Sequence, residues 1–223
     1  MSAVRPEYEA LARDLERLAA SFDVVFDEPL RRNLVLLSRT FETIDRHVDD
    51  TVDPAARAAL CEAVLRAFDG DAKTLPAEVA ERVAWARAVL EPRGTLAAFV
   101  AALRSFFEVS ETLRTTRDTS VYLASVLGEA RCAAEMTLLV GRDLDVPRFG
   151  RFFRVLSEVA NLVDKIHDVR RDRRRGEIAI DAGVWVHVRL LAAFVVRGPW
   201  LLALCPRPLR LIAWGATYLA PLA

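Results

Sequence analysis

Two groups of acidic residues recur at helical spacing, and both have the composition of a divalent-cation site. The first stripe lies in "FETIDRHVDDTVD" (residues 41–53), where four carboxylates fall within a sector of roughly 80° on a helical wheel of about 100° per residue: Glu42, Asp45, Asp49 and Asp53. The second stripe lies in "ANLVDKIHDVRRDRRRGE" (160–177) and consists of Asp164, Asp168 and Asp172 at four-residue steps. Magnesium suits hard oxygen ligands, and it usually takes one or two carboxylates and completes its shell with water and phosphate oxygens.

The two stripes differ in their relation to the apolar face of the helix. The first stripe borders the apolar face, which suits side chains at the wall of a cavity; that face is formed by Leu34, Leu37, Phe41, Ile44, Val48 and Val52. Like charges four residues apart cost on the order of a few tenths of a kcal/mol, which a bound cation would offset. The second stripe lies largely opposite its apolar face. A solvated face balanced by Lys165 and the arginines between 170 and 175 explains it as well as a metal site does, and both explanations stay open.

The segments that carry the stripes belong to an all-helical pattern. Apolar residues recur at three- and four-residue spacing almost throughout, and the alternation typical of strands is hard to find. Prolines and glycine-containing turns divide this pattern, because they remove backbone donors or add backbone freedom. We expect one helical domain over residues 1–223, with helices near 6–21, 28–53, 54–68, 76–91, 95–115, 118–141, 147–175, 182–197 and 206–219.

The segment 181–223 is strongly apolar, with tryptophans and arginines interspersed and prolines that predict a break at Pro199. It contains no uninterrupted apolar run of the roughly 18 residues that a membrane-spanning helix needs. Terminal core helices are the favoured interpretation, and peripheral contact with a membrane surface is the alternative.

Composition excludes several classes of function. The 31 basic and 31 acidic residues give zero formal charge, so no global field attracts nucleic acid. Cys61, Cys132 and Cys205 are widely separated without zinc-site spacing, which fits a reduced, cytoplasmic setting. The charged N-terminus does not resemble a secretory signal. No Ser-His-Asp arrangement and no glycine-rich phosphate loop is visible.

Four sequence elements, in this order, resemble the squalene/phytoene synthase family. "ASF" at 20–22 resembles its early Ser-Phe element, and "EPLRRNLVLLSRTFETIDRHVDDTVD" at 28–53 resembles its first aspartate-rich helix. "YLASVLG" at 122–128 fits its Tyr-x-x-x-Val-x-Gly segment, and "DVRRDRRRG" at 168–176 resembles its second DxxxD motif followed by Arg-Arg-Gly. The chain departs from the family at Arg131, which replaces a glycine, and at "EIAIDAG", which replaces a tyrosine-leucine-proline segment.

The resemblance implies a helical bundle of the isoprenoid-synthase type with a central cavity and about three Mg²⁺ ions at its mouth. It assigns the metal to Asp45, Asp49, Asp53, Asp164, Asp168 and Asp172. The first motif admits two registers, Asp45 with Asp49 or Asp49 with Asp53. Catalysis would involve Asp45, Asp49, Asp168, Asp172 and Tyr122, and substrate binding would involve Arg171, Arg174, Phe22, Phe41 and Gly128. Further candidates for the cavity wall are Phe106, Phe107 and Met136.

The activity implied is a magnesium-dependent prenyltransferase that ionises farnesyl or geranylgeranyl diphosphate and joins two prenyl chains head to head. Metal charge would stabilise the leaving diphosphate, and apolar walls would shield the allylic carbocation from water. Asp164, Asp168 and Asp172 also resemble the Asn-Ser-Glu metal motif of class I terpene cyclases, so a cyclase acting on one prenyl diphosphate is an alternative. A non-catalytic helical protein with an assembly or membrane role is the third hypothesis.

Overall fold

The computed structural model describes residues 6–144 and 146–219, and these ranges form nine α-helices without a strand. The predicted all-helical class is therefore confirmed for the described part of the chain. The helices are α1 (Pro6–Ala19), α2 (Glu28–Asp49), α3 (Pro54–Phe68), α4 (Ala77–Leu90), α5 (Leu96–Thr115), α6 (Thr119–Val140), α7 (Pro147–Arg175), α8 (Val184–Leu204) and α9 (Pro208–Leu219). Short 3₁₀ turns at Ala20–Phe22 and Arg142–Leu144 follow α1 and α6.

Local capping explains where several of these helices begin and end. The Asp27 side chain accepts a hydrogen bond from the Leu30 amide at the start of α2, and Asp118 accepts from the Ser120 and Val121 amides at the start of α6. Helix α7 begins at Pro147, whose missing N–H costs nothing at a first helical position. It ends at Gly176, which adopts a left-handed φ of 75°.

Two predicted helix boundaries are wrong. Helix α2 ends at Asp49 and not at residue 53, because Asp53 is extended and caps α3 through the Ala56 amide. The following Pro54 disfavours a helical conformation at that residue. Helix α8 does not break before Pro199 but continues to Leu204. Residues that precede and follow this proline on the inner side of α8 are buried. Their packing outweighs the local penalty of about 3 kcal/mol for a proline inside a helix.

Consecutive helices in the second half of the chain pack against one another in sequence order. The most extensive contacts join α5 to α6, α6 to α7 and α7 to α8, while α2 packs against α1, α4 and α6. Three apolar clusters fill the interior: one around Phe149 and Phe152, one around Phe68 and Phe99, and one around Tyr122 and Leu162. This arrangement leaves space beside α2 and α7, the two helices that carry the acidic stripes.

The C-terminal helices form part of the core, as the favoured interpretation of the apolar tail predicts. Val186, Leu190, Ala193 and Leu201 of α8 are buried, as is Leu211 of α9, so one side of this segment belongs to the core. Among the described helices, α8 has the length and apolar composition that crossing a bilayer would require. Interspersed arginines interrupt its apolar run, which is why a criterion of uninterrupted residues does not detect it.

Candidate functional site

Carboxylates from both acidic stripes line one cavity of about 490 Å³. Helix α2 contributes Glu42, Asp45 and Asp49, and helix α7 contributes Asp164 and Asp172. The α2 positions are three and four residues apart and the α7 positions are eight apart, so each helix presents its acids along one side. The two stripes, more than a hundred residues apart in the sequence, thus meet at a common space.

Helices α5 and α6 complete the wall of this cavity. Aromatic and aliphatic side chains of α5, among them Phe106 and Phe107, follow one another at helical spacing and end at Arg114. Helix α6 contributes Glu129 and two alanines. Ser110 donates a hydrogen bond of 2.7 Å to Glu129, which fixes that carboxylate between α5 and α6. The cavity therefore has an acidic side and an apolar side.

The turn after α7 brings the second stripe into contact with the cavity. After the left-handed Gly176 the chain folds back, and the Glu177 amide donates to the Asp172 carbonyl. Glu177 and the buried Ile178 then line the same cavity. Asp172 becomes 6% exposed, although the sequence pattern places the stripe opposite the apolar face. The solvated-face interpretation is therefore wrong for Asp172.

The cavity wall carries an excess of negative charge. Seven carboxylates line it, against two cations, Arg114 and Lys165. Arg114 donates a hydrogen bond to Asp49. The Lys165 ammonium lies 3.8 Å from Asp172, and the Arg171 guanidinium approaches the same carboxylate at 3.7 Å. Protein cations thus compensate one cavity-lining acid of each stripe, Asp49 and Asp172, and the remaining negative charge favours the binding of further cations.

Asp45 and Asp164 form no hydrogen bond or ion pair with other described side chains. Burial, followed by the nearby charge of Asp49, raises the pKa of Asp45 to about 6. Water still reaches its carboxylate, so the group lies at the open part of the cavity. Burial and the charge of Asp168 raise the pKa of Asp164. A partly desolvated carboxylate that forms no ion pair is a favourable ligand for a bound metal ion.

Several residues assigned to the site by the resemblance lie outside the cavity wall. Asp53 caps α3, and Asp168 forms an ion pair of 2.6 Å with the exposed Arg171. Arg174 is exposed beyond the cavity residues. Of the two registers of the first motif, Asp45 with Asp49 is the pair that lines the cavity. The roles assigned to Asp53, Asp168, Arg171 and Arg174 stay predictions.

Four of the predicted wall residues lie in the core or pack against it, and none of them lines the cavity. Phe22 packs on Phe149 and Phe152, with ring centroids 5.4 and 4.8 Å apart, and Met136 is fully buried. A Cβ atom at Gly128 would meet Val109 Cγ1 at 3.1 Å, so this glycine permits close packing of α5 and α6. Phe41, Phe106 and Phe107, in contrast, do line the cavity.

Tyr122, the fourth of these residues, has a hydroxyl group buried in the core. The residue is 0% exposed, and no described group lies within hydrogen-bond distance of the hydroxyl. Burial raises its pKa, and the charges of Asp172 and Glu129 add to this effect. The ring therefore lies behind the cavity wall, near two of its carboxylates.

The sequence interpretation misses Arg114, Glu129 and Glu177 as site residues. The sequence pattern could have predicted that Arg114 faces the cavity. It follows Phe107 by seven residues and Ser110 by four, so it continues the inward side of α5. A charged residue on an otherwise apolar helical side indicates a polar cavity or a buried ion pair. Nothing comparable marks Glu129 or Glu177.

A second, apolar cavity of about 220 Å³ adjoins the first. The two cavities share Phe41, Ser157 and Ala160 as wall residues. The far wall of the second cavity consists of leucines from α1 and α2, Phe153 and Leu156 of α7, and Trp214 of α9. An acidic cavity that adjoins an apolar one fits a ligand with a charged head and a hydrocarbon tail.

The donor set of the acidic cavity fits magnesium in its chemistry. Every candidate ligand is a carboxylate, the hard oxygen donor that Mg²⁺ prefers. Among the described residues, no three acidic, histidine or cysteine side chains converge as a ready-made metal site. Magnesium commonly uses only one or two protein carboxylates and takes its other ligands from water and substrate phosphate. Asp45 with Asp49 on α2, and Asp164 with Asp172 on α7, meet that requirement.

Comparison of the chain with protein-family models, with curated proteins and with solved structures found no match.

Proposed function

We propose that the protein is a magnesium-dependent isoprenoid synthase of the squalene/phytoene synthase type, with the corresponding helical fold. Its reaction would ionise a prenyl diphosphate, farnesyl or geranylgeranyl, and join two prenyl chains head to head. The observation that supports this proposal is the cavity itself: carboxylates of α2 and α7 line one space, and an apolar cavity shares its wall. A diphosphate head and a prenyl tail have the matching chemistry.

The proposed roles follow from the position of each side chain. Asp45, Asp49, Asp164 and Asp172 would hold the metal, and bound magnesium supplies charge that stabilises the departing diphosphate. Lys165 would contact diphosphate oxygens from the same wall, and Arg114 would do so when it releases Asp49.

The aromatic side of the cavity would protect the carbocation. Phe41, Phe106 and Phe107 exclude water from the apolar side, and their ring faces carry negative electrostatic potential. Phe41 and Phe106 stack with centroids 6.4 Å apart. Phe41 also borders the second cavity, so it lies between the proposed positions of the head and the tail.

A class I terpene cyclase acting on one prenyl diphosphate would use the same cavity. The location of Asp164 favours it as the second candidate, since Asp164 occupies the first position of the cyclase-like metal motif and lines the wall. The products distinguish the two reactions. Head-to-head joining gives a hydrocarbon of doubled length, whereas cyclisation gives a cyclic or rearranged product of single length.

A non-catalytic helical protein is the third candidate. The pairing of Asp49 with Arg114 and of Asp172 with Lys165 favours it, because these cations partly compensate the acids without a metal. On this hypothesis magnesium and diphosphate give no thermal stabilisation.

The test is a thermal-shift series with magnesium and prenyl diphosphates of increasing length, followed by extraction of products. A ligand at a hundred times its dissociation constant should add about 2.7 kcal/mol of stability. Asp164→Asn should remove this gain. Asp168→Asn distinguishes two accounts of the neighbouring acid: its position outside the cavity wall predicts that the gain is retained, and the metal role that the resemblance assigns predicts that it is lost. The absence of both stabilisation and product would contradict the two enzymatic proposals.

We also propose a cytoplasmic location for the protein. It is supported by the free thiols of Cys61, Cys132 and Cys205, none of which has a disulfide partner among the described residues. Protease added to intact cells should leave the full chain uncut, whether or not it is bound to a membrane surface, and cleavage would contradict this proposal.

A further inference from the structure

The inner side of helix α8 packs against the rest of the protein, chiefly against α7. Val186, Leu190, Ala193 and Leu201 are buried. Arg197, on the same side, forms an ion pair of 2.8 Å with Glu158 of α7, a carboxylate that is 8% exposed. Glu158 also accepts a hydrogen bond from Arg131 of α6, but detaching α8 would remove one of its two cationic partners and expose the four buried apolar residues, so α8 stays on α7.

The outer side of α8 is apolar and exposed. Seven large apolar residues occupy about half of its helical circumference, namely Val184, Trp185, Val188, Leu191, Val195, Val196 and Trp200. Arg189 is the one charged residue on this outer side, and its guanidinium lies 5.4 Å from the centre of the Trp185 ring. Exposed Leu209 and Ile212 of α9 add to the apolar surface. Soluble monomers rarely expose apolar surface on this scale without a partner.

The charge around this surface has one sign. Residues 182–219 contain no aspartate or glutamate, whereas they contain Arg189, Arg197, Arg207 and Arg210. Because the whole chain is formally neutral, this local excess is a property of the C-terminal segment alone. Three of the four arginines are exposed, and Arg197 is the one paired with Glu158. The combination of apolar residues, tryptophans and arginines fits the boundary of a lipid bilayer with anionic headgroups.

We propose that the outer side of α8, together with α9, docks the protein on the surface of an anionic bilayer, with α8 lying in the plane of the membrane. Trp185 and Trp200 would sit at the headgroup level, and Arg189, Arg207 and Arg210 would contact lipid phosphates. The attachment of α8 to α7 through Glu158 favours this orientation over a membrane-spanning one. A second copy of the chain is a poorer occupant, because a symmetric dimer would bring surfaces of the same positive charge together.

The test is co-sedimentation of the full chain with vesicles of phosphatidylcholine alone and of phosphatidylcholine with phosphatidylglycerol. Each exposed arginine near an anionic surface strengthens binding roughly fivefold, so partitioning should be roughly a hundredfold stronger on the anionic vesicles. Added salt should weaken it. Arg207→Gln with Arg210→Gln should remove most of the preference for phosphatidylglycerol and leave the thermal unfolding temperature nearly unchanged.

The apolar contribution is tested with matched serine variants. Trp185→Ser with Trp200→Ser should reduce partitioning at least tenfold, on the order expected for two lost apolar anchors. Val25→Ser with Val52→Ser is the control, since these valines are 82% and 87% exposed on other parts of the chain. The control should bind vesicles as the unmodified protein does. Circular dichroism confirms that each variant retains its helices.

Four results would overturn the proposal. One is equal sedimentation with and without vesicles, and another is an equal loss of binding in the control and the tryptophan variant. The third is resistance to extraction by alkaline carbonate, which would indicate a spanning helix. A stable dimer in analytical ultracentrifugation that the tryptophan substitutions dissociate would assign the surface to a second copy of the chain. Neither the vesicle measurements nor the ultracentrifugation depends on prenyltransferase activity.

Discussion

The Asp49 carboxylate of α2 accepts a hydrogen bond from the Arg114 guanidinium of α5, although 65 residues separate them in the sequence. The Arg114 side chain is 18% exposed and that of Asp49 is 41% exposed, so water partly screens the pair. Arg114 also lowers the pKa of the neighbouring Asp45, against the larger effects of burial and of Asp49. This contact therefore links the charge of the first stripe to the end of α5.

A double-mutant cycle measures the strength of this contact. Arg114→Gln and Asp49→Asn should show a coupling energy of about 0.5–1 kcal/mol in urea unfolding, as expected for a partly exposed ion pair. Arg114→Gln should also raise the pKa of Asp45, which NMR titration can follow. Arg104→Gln is the control on the same helix, because Arg104 pairs with Glu62. An unchanged Asp45 pKa in the Arg114 variant would contradict the described geometry.

Asp45 should make stability depend on pH when no metal is bound. Its folded-state pKa of about 6 is above the usual aspartate value of 3.8, so the folded state holds the proton more tightly. The stability of the protein should therefore decrease as pH rises from about 4 to above 6. Asp45→Asn should raise stability at pH 7 by less than about 1 kcal/mol, since solvent screens this exposed group.

Urea unfolding in the presence of a chelator, at pH 4 and at pH 7, tests the Asp45 prediction. The difference between Asp45→Asn and the unmodified protein should be much smaller at pH 4, where the carboxylate is protonated in the folded state and still partly protonated in the unfolded state. An equal difference at both pH values would mean that the substitution acts through packing.

Tyr122→Phe separates a core role from a role at the reaction centre. The hydroxyl is buried without a described hydrogen-bond partner, so its removal should raise the free energy of unfolding by about 1 kcal/mol. The resemblance instead assigns Tyr122 to the substrate cavity, where the change would lower turnover. Thermal unfolding and product formation measure the two effects separately. If Tyr122→Phe instead lowered the free energy of unfolding by about 1 kcal/mol, the hydroxyl would have a hydrogen-bond partner in the folded protein.

Glu158 should contribute strongly to stability. It accepts from Arg197 and, at 2.5 Å, from Arg131, while it is itself buried. Glu158→Ala should lower the free energy of unfolding by about 2–3 kcal/mol, below the range for fully buried pairs because both arginines retain access to water. Arg131→Gln should cost less than about 1 kcal/mol, since Glu158 keeps Arg197. Equal costs for the two variants in urea unfolding would contradict this account.

Pro199→Ala tests the continuity of α8. In the interior of a helix, proline lacks a backbone donor and disfavours the helical conformation. The substitution should therefore raise stability by about 1–3 kcal/mol in thermal unfolding. Pro206→Ala is the control outside the helices, where losing a proline should slightly lower stability through the unfolded state. No gain at Pro199 would indicate a helix that already breaks there.

The sequence predicts the helices well because their signals are local. The apolar spacing and the helix-breaking residues predict bounds for α3 and α7 that are identical to those in the structure. The two wrong boundaries each involve a proline. At Pro54 the preference of the preceding residue for an extended backbone ends α2 earlier than the sequence interpretation predicts. At Pro199 tertiary packing overrides the tendency of proline to break a helix.

The membership of the site is less predictable from the sequence. Spacing identifies Asp164, Asp168 and Asp172 as equivalent, yet Asp168 faces Arg171 outside the cavity and Asp172 is buried beneath the turn at Gly176. The stripe itself contains no information about the segment that folds over it. Gly128 and Tyr122 likewise match a family pattern in the sequence, yet Gly128 packs against Val109 and Tyr122 is buried behind the cavity wall.

The sequence by itself determined an all-helical chain and two stripes of carboxylates, because both depend on residue spacing within one helix. The tertiary structure alone decided which carboxylates share a cavity, which of them Arg114 and Lys165 compensate, and which side of α8 stays exposed. These outcomes depend on how each helix is rotated against its neighbours. That rotation minimises the free energy of packing over the whole chain, and no single segment encodes it.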